Sequence, residues 1–138
     1  MLCTCITSAT GVSFGSYDPL SSANVDSAGY VGVTCLTLNL TPVTTAYTIA
    51  LSAGNSGSFG SRRLNFGGNH LSYNLYTDSS RATVWGDGTG SSSVVSDSYT
   101  LAPGPGENRS YTAYARLPGH QNVPIGVYID LIVVTVTY

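Results

Sequence analysis

The sequence contains no lysine, and only 9% of its 138 residues are charged. Its positive charge rests on Arg62, Arg63, Arg81, Arg109 and Arg116, and the formal net charge is -2. Nucleic acids and anionic membrane surfaces are held by dense basic faces, so neither is expected as a partner. Without lysine there is also no P-loop, however rich in glycine the chain is. No apolar run reaches the ~18 residues of a membrane-spanning helix. No secretory h-region is seen either, so the sequence is read as a processed form with no membrane-inserted segment. His70 and His120 are isolated. Asp78, Asp87, Asp97 and Glu107 fall in separate segments without calcium-loop spacing. Serine is abundant, but no G-x-S-x-G elbow is read in the chain, so none is expected to act as a nucleophile. The expectation is a protein that is not an enzyme and carries no metal or cofactor.

What the chain does have is hydroxyl, glycine and tyrosine: 19 Ser, 16 Thr, 16 Gly and 10 Tyr. With 42% apolar content, residues 1–138 suit one domain able to bury a real core. Runs rich in Val, Ile, Tyr and Thr recur at 5–14, 30–38, 46–53, 63–66, 70–77, 82–85, 92–101, 109–117 and 126–138. Turn residues separate them at Asp18-Pro19, Asn55-Ser56-Gly57, Gly67-Gly68-Asn69, Asp87-Gly88 and residues 103–106. Helical periodicity is almost absent, so the fold class is all-β, a sandwich or barrel. Tyr47, Ile49 and Leu51, and again Leu71, Tyr73 and Leu75, alternate with small or polar neighbours. Each of these strands should bury one face.

Three cysteines are present. Joining Cys5 to Cys35 would close a loop of ~30 residues and stabilise the domain by about 3–4 kcal/mol on the chain-entropy estimate. Cys3 lies two residues from Cys5 and so faces the same side of a strand, which leaves Cys3 to Cys35 as a competing pairing.

The last segment, GVYIDLIVVTVTY at 126–138, is the longest strand-like run. Ile132, Val134, Val136 and Tyr138 form one face and Ile129, Leu131 and Val133 the other. Both faces are apolar, so both are expected to be buried. A strand of this kind takes its next neighbour either from earlier in the chain or from another molecule.

Several strings occur in a characteristic order: CITSATGVSFGSYDP at 5–19, VTC at 33–35, YTIALSAG at 47–54, LSYNLYTD at 71–78, VWGDGTG at 84–90 and VTVTY at 134–138. Together they resemble the spore coat protein U domain family over essentially the whole chain. The resemblance implies an incomplete immunoglobulin-like pilin sandwich lacking its final strand. It further implies a secreted bacterial subunit of archaic chaperone-usher pili, exported through the periplasm to an extracellular fibre that supports adhesion or biofilm formation. A periplasmic chaperone, an outer-membrane usher and then neighbouring subunits would be its partners, with a host or abiotic surface as a further one. In the family the gap is filled by donor-strand complementation, and the conserved disulfide falls on Cys5 and Cys35. The residues expected to line the groove are Val12, Phe14, Ile129, Leu131, Ile132, Val133, Val134 and Val136. Only four residues precede Cys5, so the chain as given is expected to accept a donor strand rather than supply one. Two other readings carry their own features. Trp85, Tyr73, Tyr76, Tyr111 and Tyr114 could stack on sugars in a carbohydrate- or receptor-binding module, and the family name points to a structural spore coat component.

Overall fold

The computed structural model describes residues 3–138, which form two antiparallel sheets and a small hairpin. One sheet has the order β1 (Thr4–Thr10), β2 (Val25–Leu36), β8 (Glu107–Leu117), β6 (Asn74–Tyr76). The other has the order β7 (Val95–Leu101), β3 (Val43–Leu51), β9 (Val134–Thr137). The hairpin is β4 (Arg63–Phe66) with β5 (Asn69–Ser72), and the only helical turns among the described residues are two short 3-10 segments, Gly54–Ser56 and Phe59–Ser61. The all-β expectation therefore holds.

Alternation decides the faces. Val31, Val33 and Cys35 of β2 meet Tyr47, Ile49 and Leu51 of β3 and Ala113, Ala115 and Leu117 of β8 in one core, closed by Leu71, Leu75, Leu101 and the fully buried Trp85. Asn74 is also buried, although it sits between two inward residues, because it serves Arg62. Arg62 is itself fully buried. It donates to the carbonyls of Ser52 at 2.6 Å and Trp85 at 2.7 Å, and to Asn74 Oδ1 at 2.9 Å, with its guanidinium 5.5 Å from the Phe59 ring centroid. These groups come from four separate segments, and one planar fork of donors satisfies them.

Cys5 and Cys35 stand directly opposite in the β1–β2 register and form the disulfide. Cys3 keeps a free thiol, 3.3 Å from Thr45 Oγ1, so the Cys3–Cys35 alternative is not realised.

Four predicted strands differ from what forms. The 70–77 run splits at Tyr73, whose amide donates to Arg62 O at 3.1 Å, into β5, paired with β4, and β6, paired with β8. The 5–14 run leaves its sheet after Thr10 because it crosses over Gly29. A Cβ there would lie 2.7 Å from Thr10 O and 2.8 Å from Val12 Cγ2, so a glycine is needed for the chain to pass. Residues 82–85 make only isolated bridges, Tyr76 with Val84 and Trp85 with Ser93, since Arg81 at φ 57° and the Gly86-Asp87-Gly88 turn bend the chain on both sides. The 126–138 run is a ladder strand only from Val134. Upstream, Ile129 pairs with Asn65 at 2.7 and 3.0 Å, and Val133 pairs with Ser52. Between them Asp130 turns its carboxylate back onto the Asn55 and Leu131 amides, both at 2.9 Å, and interrupts the pleat.

Candidate functional site

Four strands end the two sheets: β1, β6, β7 and β9. The outer edge of β6 is covered by residues 83–85, through Thr77 N to Thr83 O at 3.0 Å and Trp85 N to Leu75 O at 2.9 Å. On β7, Asp97 pairs with Arg109 at 3.3 Å, and the guanidinium of Arg109 lies 3.8 Å from the Tyr99 ring centroid. A charged or covered edge is protected against pairing with another chain. By contrast, neither β1 nor β9 carries a charged residue, and each has a partner on one side only among the described residues.

These two bare edges run on into the segments, residues 9–17 and 127–134, that bank one cleft. At one end Cys5 N donates to Tyr138 Oη at 3.3 Å and draws them together. Beyond that contact the banks separate. A cavity of about 270 Å³ lies between residues 9–14 and 130–134. It continues into one of about 410 Å³ between residues 12–17 and 127–130. Leu51, Tyr73, Leu75 and Ala113 line the first, Val25, Leu71 and Leu117 the second, and Val12, Phe14, Leu64 and Asp130 line both.

The structure divides the predicted groove residues into two groups. Val12, Phe14, Ile132, Val134 and Val136 are half-buried against the core. Ile129, Leu131 and Val133 are 67%, 76% and 59% exposed. The expectation that both faces of the last segment are buried is thus corrected: the core covers one side only, and no layer of the described chain covers the other. Ile129 and Leu131 nevertheless line the two cavities. Leu64, Tyr73 and Asp130 were missed. Asp130 had a signal, since it is the one charge in an otherwise uncharged apolar run, whereas Leu64 and Tyr73 arrive by tertiary packing alone.

Polar chemistry in the cleft is concentrated at Asp130. Tyr73 donates to its Oδ2 at 2.7 Å, and burial, reinforced by that carboxylate, pushes the Tyr73 phenol well above its ordinary range. Arg62 lies behind them, its pKa lowered by desolvation. A second polar cluster ties the two sheets together away from the cleft. Tyr47 Oη lies 2.5 Å from Tyr111 Oη, which donates to Asp97 at 2.6 Å. Burial pushes both Tyr47 and Tyr111 up to about 12.

Of the aromatic candidates, Tyr111 belongs to that tyrosine cluster, while Tyr76 and Tyr114 stand opposite each other on β6 and β8, half-buried, with the Arg81 guanidinium 5.7 Å from the Tyr114 ring centroid. Trp85 and Tyr73 are buried and offer no platform for a sugar ring. The serines need a correction, because GVSFG at 11–15 does carry G-x-S-x-G spacing. Ser13 lies in the irregular stretch between β1 and β2, where its carbonyl accepts from Ser27 Oγ, and no helix follows it as a nucleophile elbow requires.

Comparison with known proteins agrees with this architecture. The fold matches, with a TM-score of 0.62 and 24% identity, a chain of the CsuC–CsuE chaperone–tip adhesion subunit pre-assembly complex from archaic chaperone-usher Csu pili of Acinetobacter baumannii. The match covers 99% of this chain but 40% of that one, so the chain spans well under half of its structural relative. Protein U of Myxococcus xanthus is 32% identical over 136 residues, covering 92% of this chain and 71% of that protein. Residues 1–135 match the Spore Coat Protein U domain, and the chain belongs to that family.

Proposed function

We propose that this protein is a non-enzymatic structural subunit of an extracellular bacterial fibre, joined to its neighbour by donor-strand complementation. The observation that carries the reading is the largely apolar cleft between residues 9–17 and 127–134, the segments that run on from the bare, uncharged edges of β1 and β9. A β-strand from a neighbouring subunit would bond to these edges through its main chain and fill the cavities with alternate side chains, which is β-augmentation. Val12, Phe14, Ile132, Val134 and Val136 would form its bed, and Ile129, Leu131 and Val133 the rim that it covers. Until then the cleft needs a holder, since a bare apolar edge invites aggregation. A periplasmic chaperone fits that need, as the chaperone-bound form of the structural relative supports, and an outer-membrane usher would exchange it for the next subunit. Adhesion to host or abiotic surfaces and biofilm support follow from such a fibre. The relation to Protein U favours a second reading, in which the same strand-accepting fold builds a coat layer.

Thermal unfolding of the domain alone, and with an alternating apolar peptide of about nine residues, tests the proposal. Nine residues at ~3.3 Å each would span the cleft. A midpoint that rises with peptide concentration, as mass action requires, supports completion in trans. An unchanged midpoint with a series of such peptides, together with a monomeric mass, would overturn it.

A further inference from the structure

The two cavities meet at the carboxylate of Asp130, the only charged group among the described residues that line either of them. Its oxygens already accept from Asn55 N, Leu131 N and Tyr73 Oη. A carboxylate offers roughly four lone-pair directions, so one acceptor direction is left for an incoming group. Burying that carboxylate under a wholly apolar strand would leave it under-satisfied, a substantial penalty in a cleft that loses water.

From this we infer that the strand this cleft accepts carries a hydroxyl side chain, Ser or Thr, at the inward position facing Asp130, with apolar residues at the inward positions on both sides. The inference rests on the strand-accepting reading above and adds the chemistry and register of the partner. The lengths agree. Residues 127–130 and 130–134 each span about 10–13 Å of extended chain, room for roughly two inward side chains on either side of the polar position. A cation there would sit near the buried Arg62, which already supplies positive charge behind Tyr73 and Asp130. An acid would meet Asp130 directly. The hydroxyl donates one hydrogen bond at low desolvation cost and fits this environment best. The polar position also fixes register. A slip by two residues keeps every side chain on its face but moves the hydroxyl into an apolar cavity and an apolar side chain onto the carboxylate.

The test uses the intact chain and three peptides of about nine residues. All three have Val at the other inward positions and Ser or Gln at the outward ones, and they differ only in a central Thr, Val or Asp. Affinity is read by isothermal calorimetry and by the rise in unfolding midpoint. The Thr peptide is expected to bind about tenfold tighter than its isostere Val, the scale of one hydrogen bond to a charged acceptor, and the Asp peptide weakest of all. In Asp130→Asn the Asp peptide should recover affinity relative to the Val peptide, because the repulsion is gone. Equal binding of the Thr and Val peptides would overturn the hydroxyl assignment while leaving the strand-accepting cleft intact. Failure of all three to bind would overturn both.

Discussion

Arg62 is the residue on which the most separate parts of the fold converge. Its guanidinium bonds the end of β3, the segment containing Trp85, and Asn74 of β6, while stacking near Phe59. Replacing it with Met would leave several buried carbonyls without donors, at about 1–3 kcal/mol each before relaxation. Arg62→Met is therefore expected to lower the unfolding free energy by about 3–5 kcal/mol in urea titrations. Arg62→Lys should recover little of this, because a point-like ammonium cannot span the same fork of acceptors. Residue order does not announce this role: Arg62 and Arg63 are adjacent at the start of a short strand, and only the first is buried. Nothing local distinguishes Arg62 from the exposed Arg63, and its burial follows from four segments that meet only once the sheets have packed.

Among the elements, the tyrosine cluster and the last strand make separate predictions. Tyr47 of β3 and Tyr111 of β8 join the two sheets, with phenol pKa values raised from 10.0 to about 12. The folded chain thus holds these protons more tightly than the unfolded chain. Their contribution is complete below pH 10 and declines as pH climbs from 10 towards about 12. Urea midpoints should fall over that interval, and Tyr47→Phe should flatten the fall. In β9, Val134 lies on the half-buried face and Thr135 on the exposed one. Val134→Asp is expected to abolish subunit assembly, and Thr135→Asp to leave it intact; electron microscopy and sedimentation of assembled material would read both. Unchanged assembly by Val134→Asp would remove β9 from the interface. Strict alternation made β3 legible from sequence to within a few residues, whereas the equally alternating 71–75 stretch is divided between β5 and β6. The break in the 126–138 run was not legible, because Asp130 interrupts it by binding the amide of Asn55, a turn distant in sequence. Two apolar faces also could not reveal which one the core covers.

For the molecule as a whole, one covalent link fastens β1, which leads into the bank of the cleft nearer the start of the chain, to β2. It closes a 30-residue separation. Cys5→Ser combined with Cys35→Ser should cost about 3–4 kcal/mol of stability by chain entropy and should weaken peptide capture further by freeing that bank. Calorimetry with and without peptide separates the two losses. The fold class and the disulfide were readable from the order of motifs along the chain, whereas the cleft exists only where the first and last segments come together. The near-absence of charge along its banks reaches beyond the single domain. Ionic contacts weaken as salt screens them, while main-chain hydrogen bonds and apolar burial do not depend on screening. A fibre knitted through such a seam would hold alike in fresh water and in brine.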